Sequence, residues 1–226
     1  MTGPDRAPHV PSPVRTVISH AALRHNAQRL IDRAPGRAPL WADLRRDAWG
    51  HGLTECAQTL TEAGMRILTD ADADAAGDAD VVDPAALWGF AGAGCRPVMS
   101  LYGSVLSVKP LLAGEGVSYG YTFRAAVDTT VGLVGGGYAQ GIVRELGNRV
   151  RVQVGGALLP VIGRVAMDAC VVDLQDTPAA AGCDVCFFGD PGQGRPALAD
   201  WCAVTGLTAG EITTLAGARA TRRHER

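Results

Sequence analysis

Between Gly116 and Asp168 the chain sets short apolar runs between glycines. It reads GVSYGYTF, then a Thr/Val segment into GGGYAQG, then RVRVQVGGALLPVIGRVAMD. Val152, Val154, Leu158, Val161, Ile162 and Val165 are separated by Gly155-Gly156, Pro160 and Gly163. Runs this short, with turn residues between them, read as β-strands joined by tight bends. Tyr119, Tyr138, Met167 and Asp168 fall on those bends. Side chains on the loops of a rigid scaffold are where chemistry concentrates.

The remaining sequence bounds the function classes. With 226 residues there is room for one or two domains and a sizeable core. A net charge of −2 offers no electrostatic footprint for nucleic acid or an anionic membrane. No apolar run of ~18 residues and no signal-peptide pattern occurs, so a soluble, cytoplasmic protein is expected. Cys183-x-x-Cys186 has the spacing of a redox or zinc half-site. It lies in the apolar run CDVCFF with no matching ligands, and reads as reduced strand cysteines. Asp70, Asp72, Asp74, Asp78 and Asp80 lack the spacing and terminal Glu of a calcium loop and read as a solvated linker. No metal is expected. Lys109 is the only lysine.

In chain order, residues 1–15 are proline-rich and read as a flexible tail. Thr16-Val17-Ile18 is a strand. Ser19 is an N-cap for a helix over 21–34, with Leu23, Ala27, Leu30 and Ile31 on one face. His20 and His25 are expected to be exposed or capping. LWADLRRDAWGHG, residues 40–52, reads as a strand and loop. A helix over 54–63, a strand over 65–68 and the acidic linker 69–80 follow. After VVDPAALWG at 81–89 the β-domain runs to about Phe188. Helices are expected over 197–205 and 207–216, then an exposed basic tail, ARATRRHER.

VSYG (117–120), GYAQG (137–141) and VIGRVAMD (161–168), with PVMSL (97–101) and Val108-Lys109, resemble the C-terminal β-domain of the alanine racemases. VISHAALRHNAQRL and LWADLRRDAWGHG are similar to the N-terminal barrel segments of the same family. A complete barrel takes ~250 residues, and residues 14–94 supply about a third of that. The resemblance therefore implies an α+β fold. Residues 95–226 form an alanine-racemase-like β-domain, and 16–94 a small α/β remnant of a degenerate (β/α) barrel.

The resemblance also assigns site positions. Arg45 stands at the Schiff-base lysine and Trp49 at a tyrosine. Asp83 replaces the arginine that faces the pyridine nitrogen; Ala85 and Gly210 replace phosphate-binding residues. A guanidinium stays protonated and is a poor nucleophile. These substitutions argue against pyridoxal phosphate, and no cofactor is expected. Tyr119 matches the second catalytic base, which in the family acts on the partner subunit's pocket. Tyr138 and Met167 match residues near the substrate carboxylate, and Asp168 could tune Tyr119. An ordinary tyrosine titrates near ~10 and needs help to act as a base. These residues therefore serve either acid–base chemistry or packing. His51 reads as a turn residue. Arg45 and Arg46 could grip a carboxylate or phosphate, or pair with Asp43 and Asp47.

The expectation is a racemase-derived enzyme, working without pyridoxal phosphate, that moves protons, isomerises or cyclises a small, amino-acid-derived molecule. Its alternatives are a non-catalytic dimeric scaffold and a partner subunit for a full-length racemase. A homodimer is expected. Its pocket would lie where Tyr119, Tyr138, Met167 and Asp168 converge under the 40–51 strand and loop. Trp49 and Trp88 would supply apolar walls.

Overall fold

The computed structural model describes residues 14–37, 39–72, 80–91 and 93–226. The first half runs β1 (Arg15–Ser19), α1 (His20–Asp32), β2 (Trp41–Asp43), α2 (Arg45–Trp49), α3 (Leu53–Glu62), β3 (Arg66–Leu68) and α4 (Pro84–Leu87). The second runs β4 (Met99–Leu111), β5 (Gly116–Val117), β6 (Phe123–Arg124), β7 (Thr129–Gly135), β8 (Arg151–Val154), β9 (Ala157–Ile162), β10 (Ala169–Asp173), β11 (Asp184–Phe188), α5 (Leu198–Thr205), α6 (Ala209–Arg219) and β12 (Thr221–Glu225). Residues 1–13 and 73–79, expected to be tail and linker, lie outside the described residues.

The glycine-punctuated stretch folds as strands. An eight-stranded sheet has the order β11-β8-β9-β10-β7-β4-β1-β12, and β11 also pairs with β4. That extra pairing closes six of the strands into a barrel. β4 makes this possible by its length. Its first part pairs with β1 and β11, and after a register shift between Val105 and Ser107 its second part pairs with β7. A bulge of this kind turns a strand at a barrel corner. Cys186 is buried in β11, and all six cysteines are free.

β2 and β3 pair in parallel with α3 between them, and Val81 adds an isolated bridge to Trp41. This β-α-β piece shares one hydrophobic core with the barrel, including Leu44, Trp88, Val98, Phe187, Phe188 and Trp201. Ser19 caps α1 as expected, its Oγ accepting from the Ala22 N–H at 3.2 Å.

Two expectations need correction. The basic tail is strand β12, paired in parallel with β1 from Arg15↔Thr221 to Ser19↔Glu225. Its period-2 pattern points Arg222 and His224 inward, and polar inward residues hide the alternation that marks a half-buried strand. His20 is not exposed: it is 4% accessible. Its Nδ1 lies 2.5 Å from Thr59 Oγ1 and its Nε2 2.9 Å from Nδ1 of His224. The strand hidden in the tail supplies the partner that buries it.

Candidate active site

α2 is a single turn of unusual hand. Arg46, Asp47, Ala48 and Trp49 all have φ between 53° and 57°. For residues other than glycine such a backbone costs roughly 1–2 kcal/mol each, so the surroundings must hold it. The Asp47 carboxylate accepts from Leu53 N–H at 2.8 Å and from Arg222 Nη2 at 2.5 Å. The Asp47 carbonyl accepts from Gly52 N–H. His51 is fully buried, its Nδ1 lies 2.9 Å from the Ala48 carbonyl, and its ring stacks on Trp88 at 4.2 Å. Burial pushes the His51 pKa down to about 3, so the ring is neutral. Gly50 (φ +83) lets the turn meet α6; a Cβ there would lie 2.4 Å from the Thr213 carbonyl oxygen.

This turn and α6 enclose a cavity of about 660 Å³ lined by Asp43, Arg45, Arg46, Trp49, Leu207, Thr208, Gly210, Glu211, Thr214 and Leu215. Arg45 is fixed against Asp43 by a two-pronged pair, Nε–Oδ1 2.9 Å and Nη2–Oδ2 2.7 Å. That pairing holds the Asp43 carboxyl below the usual range and the Arg45 guanidinium above its own. Both arginine side chains remain open to the cavity's surroundings, at 43% for Arg45 and 84% for Arg46. Trp49 lies over Gly210, where a Cβ would come within 2.5 Å of the indole. The first turn of α6 is closed by its own side chains. Glu211 accepts from Thr208 N–H and Oγ at 2.7 Å, and Thr208 Oγ1 accepts from Glu211 N–H.

The tyrosines stand on a separate face. Tyr138 N–H and Ala139 N–H donate to the carbonyls of Ala166 and Met167, and Gln140 Nε2 donates to Asp168 Oδ1 at 3.0 Å. Tyr138, Met167 and Asp168 are thus brought together, with the Arg144 guanidinium 5.0 Å above the Tyr138 ring. Tyr119 joins them indirectly, through Ser118 Oγ donating to the Arg164 carbonyl at 2.6 Å. Tyr119 is 74% exposed and Met167 55%. None of the four lines the α2–α6 cavity. Helix α6 borders both regions: Leu215 lines the cavity and lies against Gly141, while Arg219 donates to the Ala139 carbonyl. Of the residues expected to bind substrate, Arg45 and Trp49 line the cavity, whereas His51 and Trp88 are buried behind it. Thr208 and Glu211 were legible only as a Thr-x-x-Glu helix start. Leu207, Thr214 and Leu215 carry no signal of their own in the sequence.

A family model described as "Alanine racemase, C-terminal domain" matches residues 98–224. The chain belongs to the alanine racemase family. The model "Alanine racemase, N-terminal domain" matches residues 18–116. An alanine racemase of Mycolicibacterium vanbaalenii is 42% identical over 123 residues, 54% of this chain and 32% of the relative. The chain therefore spans about a third of the length of the curated relatives it matches. In fold it is similar to the alanine racemase of D-cycloserine-producing Streptomyces lavendulae, with a TM-score of 0.83, 23% identity, and coverage of 96% of this chain and 98% of that one. The alanine racemase of Bartonella henselae aligns at a TM-score of 0.73 and 16% identity, over 95% of this chain and 100% of that one; it carries covalently bound pyridoxal phosphate.

These relatives overturn the expectation of a site without cofactor. Members of the alanine racemase family surround this chain in both sequence and fold, and one of them holds pyridoxal phosphate covalently. The lining of this chain's own cavity does not fit covalent attachment. It contains no lysine, its Arg45 is paired with Asp43, and Lys109 lies on β4. Among the described residues no helix is long and apolar enough to cross a membrane.

Proposed function

We propose that the chain transfers protons, isomerising or cyclising a small amino-acid-derived carboxylate held in the α2–α6 cavity. In this reading Arg45 and Arg46 bind the carboxylate, Trp49 and Leu215 cover the apolar part, and Tyr119 of a second copy delivers or removes the proton. Asp168 and Gln140 hold the Tyr138 turn beside it, and Met167 borders the substrate. Arg46, 84% exposed, can orient a carboxylate through two N–H groups, Arg45 having its Nε and Nη2 on Asp43. A positioned hydroxyl contributes typically 10²–10⁴-fold in proton transfer. The observation that carries the reading is the separation of the two halves. A cavity with two arginines but no lysine or tyrosine in its lining sits on one side of α6, and an exposed tyrosine face on another. The cavity lacks the phenol that the other face carries.

The test is exchange of the α-proton of amino acids with deuterated water, followed by proton NMR, with and without added pyridoxal phosphate. Arg45→Ala and Tyr119→Phe should each abolish exchange. Mixing the two variants should restore part of it, because a mixed dimer contains one intact composite site. A monomer with no exchange on any amino acid would refute the reading. A second reading rests on the outward position of Tyr119, which is 74% exposed. There, Tyr119 would be lent to a longer racemase subunit, and activity would appear only in the mixed complex. Stable homodimers inert in both assays would leave a scaffold.

A further inference from the structure

Successive residues of β7 and β10 serve opposite faces of the sheet. Val134 and Val172 belong to the main core, whereas Val131 and Val171 pack with Val117 of the β5–β6 hairpin in a second, smaller cluster. Beside that cluster, between sheet and hairpin, is a cavity of about 370 Å³. The sheet contributes Ser107 and Lys109 of β4, Leu133 of β7 and Val171 of β10; the hairpin side contributes Val117 and Ser118. Ser107 pairs with Leu133 and Leu133 with Val171, so these three stand abreast, and Lys109 follows two residues along on the same face. Lys109 is the only lysine of the chain and is exposed. Among the described residues its ammonium has neither a salt bridge nor a hydrogen bond. No other residue of the lining carries a charge. Asp173, two residues beyond Val171, accepts from the Thr129 hydroxyl at 2.6 Å and is not part of the lining. The Ser118 hydroxyl is engaged with the Arg164 carbonyl, which leaves the ammonium and the Ser107 hydroxyl as unspent donors.

We propose that this cavity is a second binding site, for a small monocarboxylate with an apolar body. Its carboxylate sits on the Lys109 ammonium and the Ser107 hydroxyl, and its body lies against Leu133, Val171 and Val117. One ammonium matches one negative charge, and an exposed ion pair alone adds little affinity. The apolar wall supplies the rest, by removing methylene groups from water. At about 370 Å³ the space falls within the range of small-molecule sites. The site does not depend on the reading of the α2–α6 cavity, because the two share no lining residue.

The experiment is an NMR titration with hexanoate of protein labelled with ¹⁵N and with ¹³C-lysine. A single lysine gives a single ¹³Cε signal, so the reporter needs no assignment. That signal and the amides of Gly116, Val117 and Ser118 should shift together and saturate, with a Kd on the order of 1–10 mM for so small a probe. Acetate, the charge without the chain, should bind at least ~10-fold more weakly. Lys109→Gln should weaken hexanoate about 2- to 5-fold by the amide signals, while 1-hexanol, the chain without the charge, binds variant and parent alike. Leu133→Glu, at a position 40% exposed where the fold should tolerate it, sets a carboxylate on the same face and should abolish hexanoate binding. A shift that does not saturate, an acetate response equal to that of hexanoate, or undiminished hexanoate binding in either variant would overturn the proposal. So would an equal loss of 1-hexanol in Lys109→Gln, because the substitution would then have altered the cavity rather than removed its charge.

Discussion

Arg222 on the last strand donates to the carboxylate of Asp47 in the left-handed turn at 2.5 Å, across 175 positions of sequence. The same Asp47 also anchors the start of α3 through the Leu53 N–H. One carboxylate therefore ties together the turn, the following helix and the far end of the chain. Arg222→Ala should loosen the turn and cost about 1 kcal/mol, the pair being partly exposed. The loss is read from urea unfolding, and a change in Trp49 fluorescence would place it at the turn. An unaltered Trp49 signal with unchanged stability would show that the turn is held elsewhere.

Gly210 and Trp49 form a close-fitting pair, with a Cβ on the glycine falling 2.5 Å from the indole. Gly210→Ala should push the ring into the cavity and destabilise the protein by about 1–3 kcal/mol, the usual range for overpacking. Trp49→Ala should cost less when combined with Gly210→Ala than the two changes do separately. A double-mutant cycle measures that coupling; strict additivity would mean the two do not touch in solution.

The histidines make stability depend on pH in a stated direction. Burial depresses the folded pKa of His51 to about 3, and burial is also the largest cause lowering His20 and His224. The unfolded chain titrates them near ~6.5, so below that pH it binds more protons than the folded one. Stability should therefore be full above ~6.5 and fall as the pH drops towards 3, by at most ~1.4 kcal/mol per unit for His51 alone. Around the pair, Glu55 favours the charged forms while Arg24, Arg222 and Arg226 oppose them. Urea midpoints at pH 7, 6, 5 and 4 test this, and His51→Phe should flatten the acid slope.

If Tyr119 moves the proton, Tyr119→Phe should lower turnover by ~10²-fold or more while leaving the melting temperature unchanged, because the ring is 74% exposed. Tyr119→Asp should additionally weaken association, read by light scattering across a dilution series. Full activity in a folded Tyr119→Phe protein would reduce the residue to a surface contact.

The strands of the β-domain were legible in the sequence because glycines and prolines separate short apolar runs; their closure into a barrel, which depends on β11 pairing with β4, was not. α1 was legible from its period and its Ser19 cap, and α3, α5 and α6 stand within a few residues of where helices were expected. The last strand was not, because its inward positions are Arg222 and His224, and their burial depends on Asp47, Glu55 and His20 from the other end of the chain. Nor was the left-handed turn, since none of its four residues is glycine and its geometry is imposed by contacts with α6 and β12. The motif residues Arg45 and Trp49 could be placed by resemblance, but the cavity they line is completed by Leu207, Thr208 and Leu215. Those become neighbours only when α6 docks. Tyr119, Tyr138, Met167 and Asp168 were expected to converge under the 40–51 loop; in a single chain none of them lines the cavity beside that loop, and Tyr119 faces outward.

β1 lies between β4 and β12, hydrogen-bonded antiparallel to the first and parallel to the second. A strand from residues 15–19 therefore cannot complete its pairing until residues 221–225 exist. During synthesis the left-handed turn would be exposed on the growing chain well before Arg222 arrives to hold it. The cavity beside Arg45 would then take shape last, as a product of closure rather than a template for it. Circular permutation that placed α5, α6 and β12 ahead of β1, through a linker long enough to cross back along the parallel pair, would reverse that order and let the pocket form early.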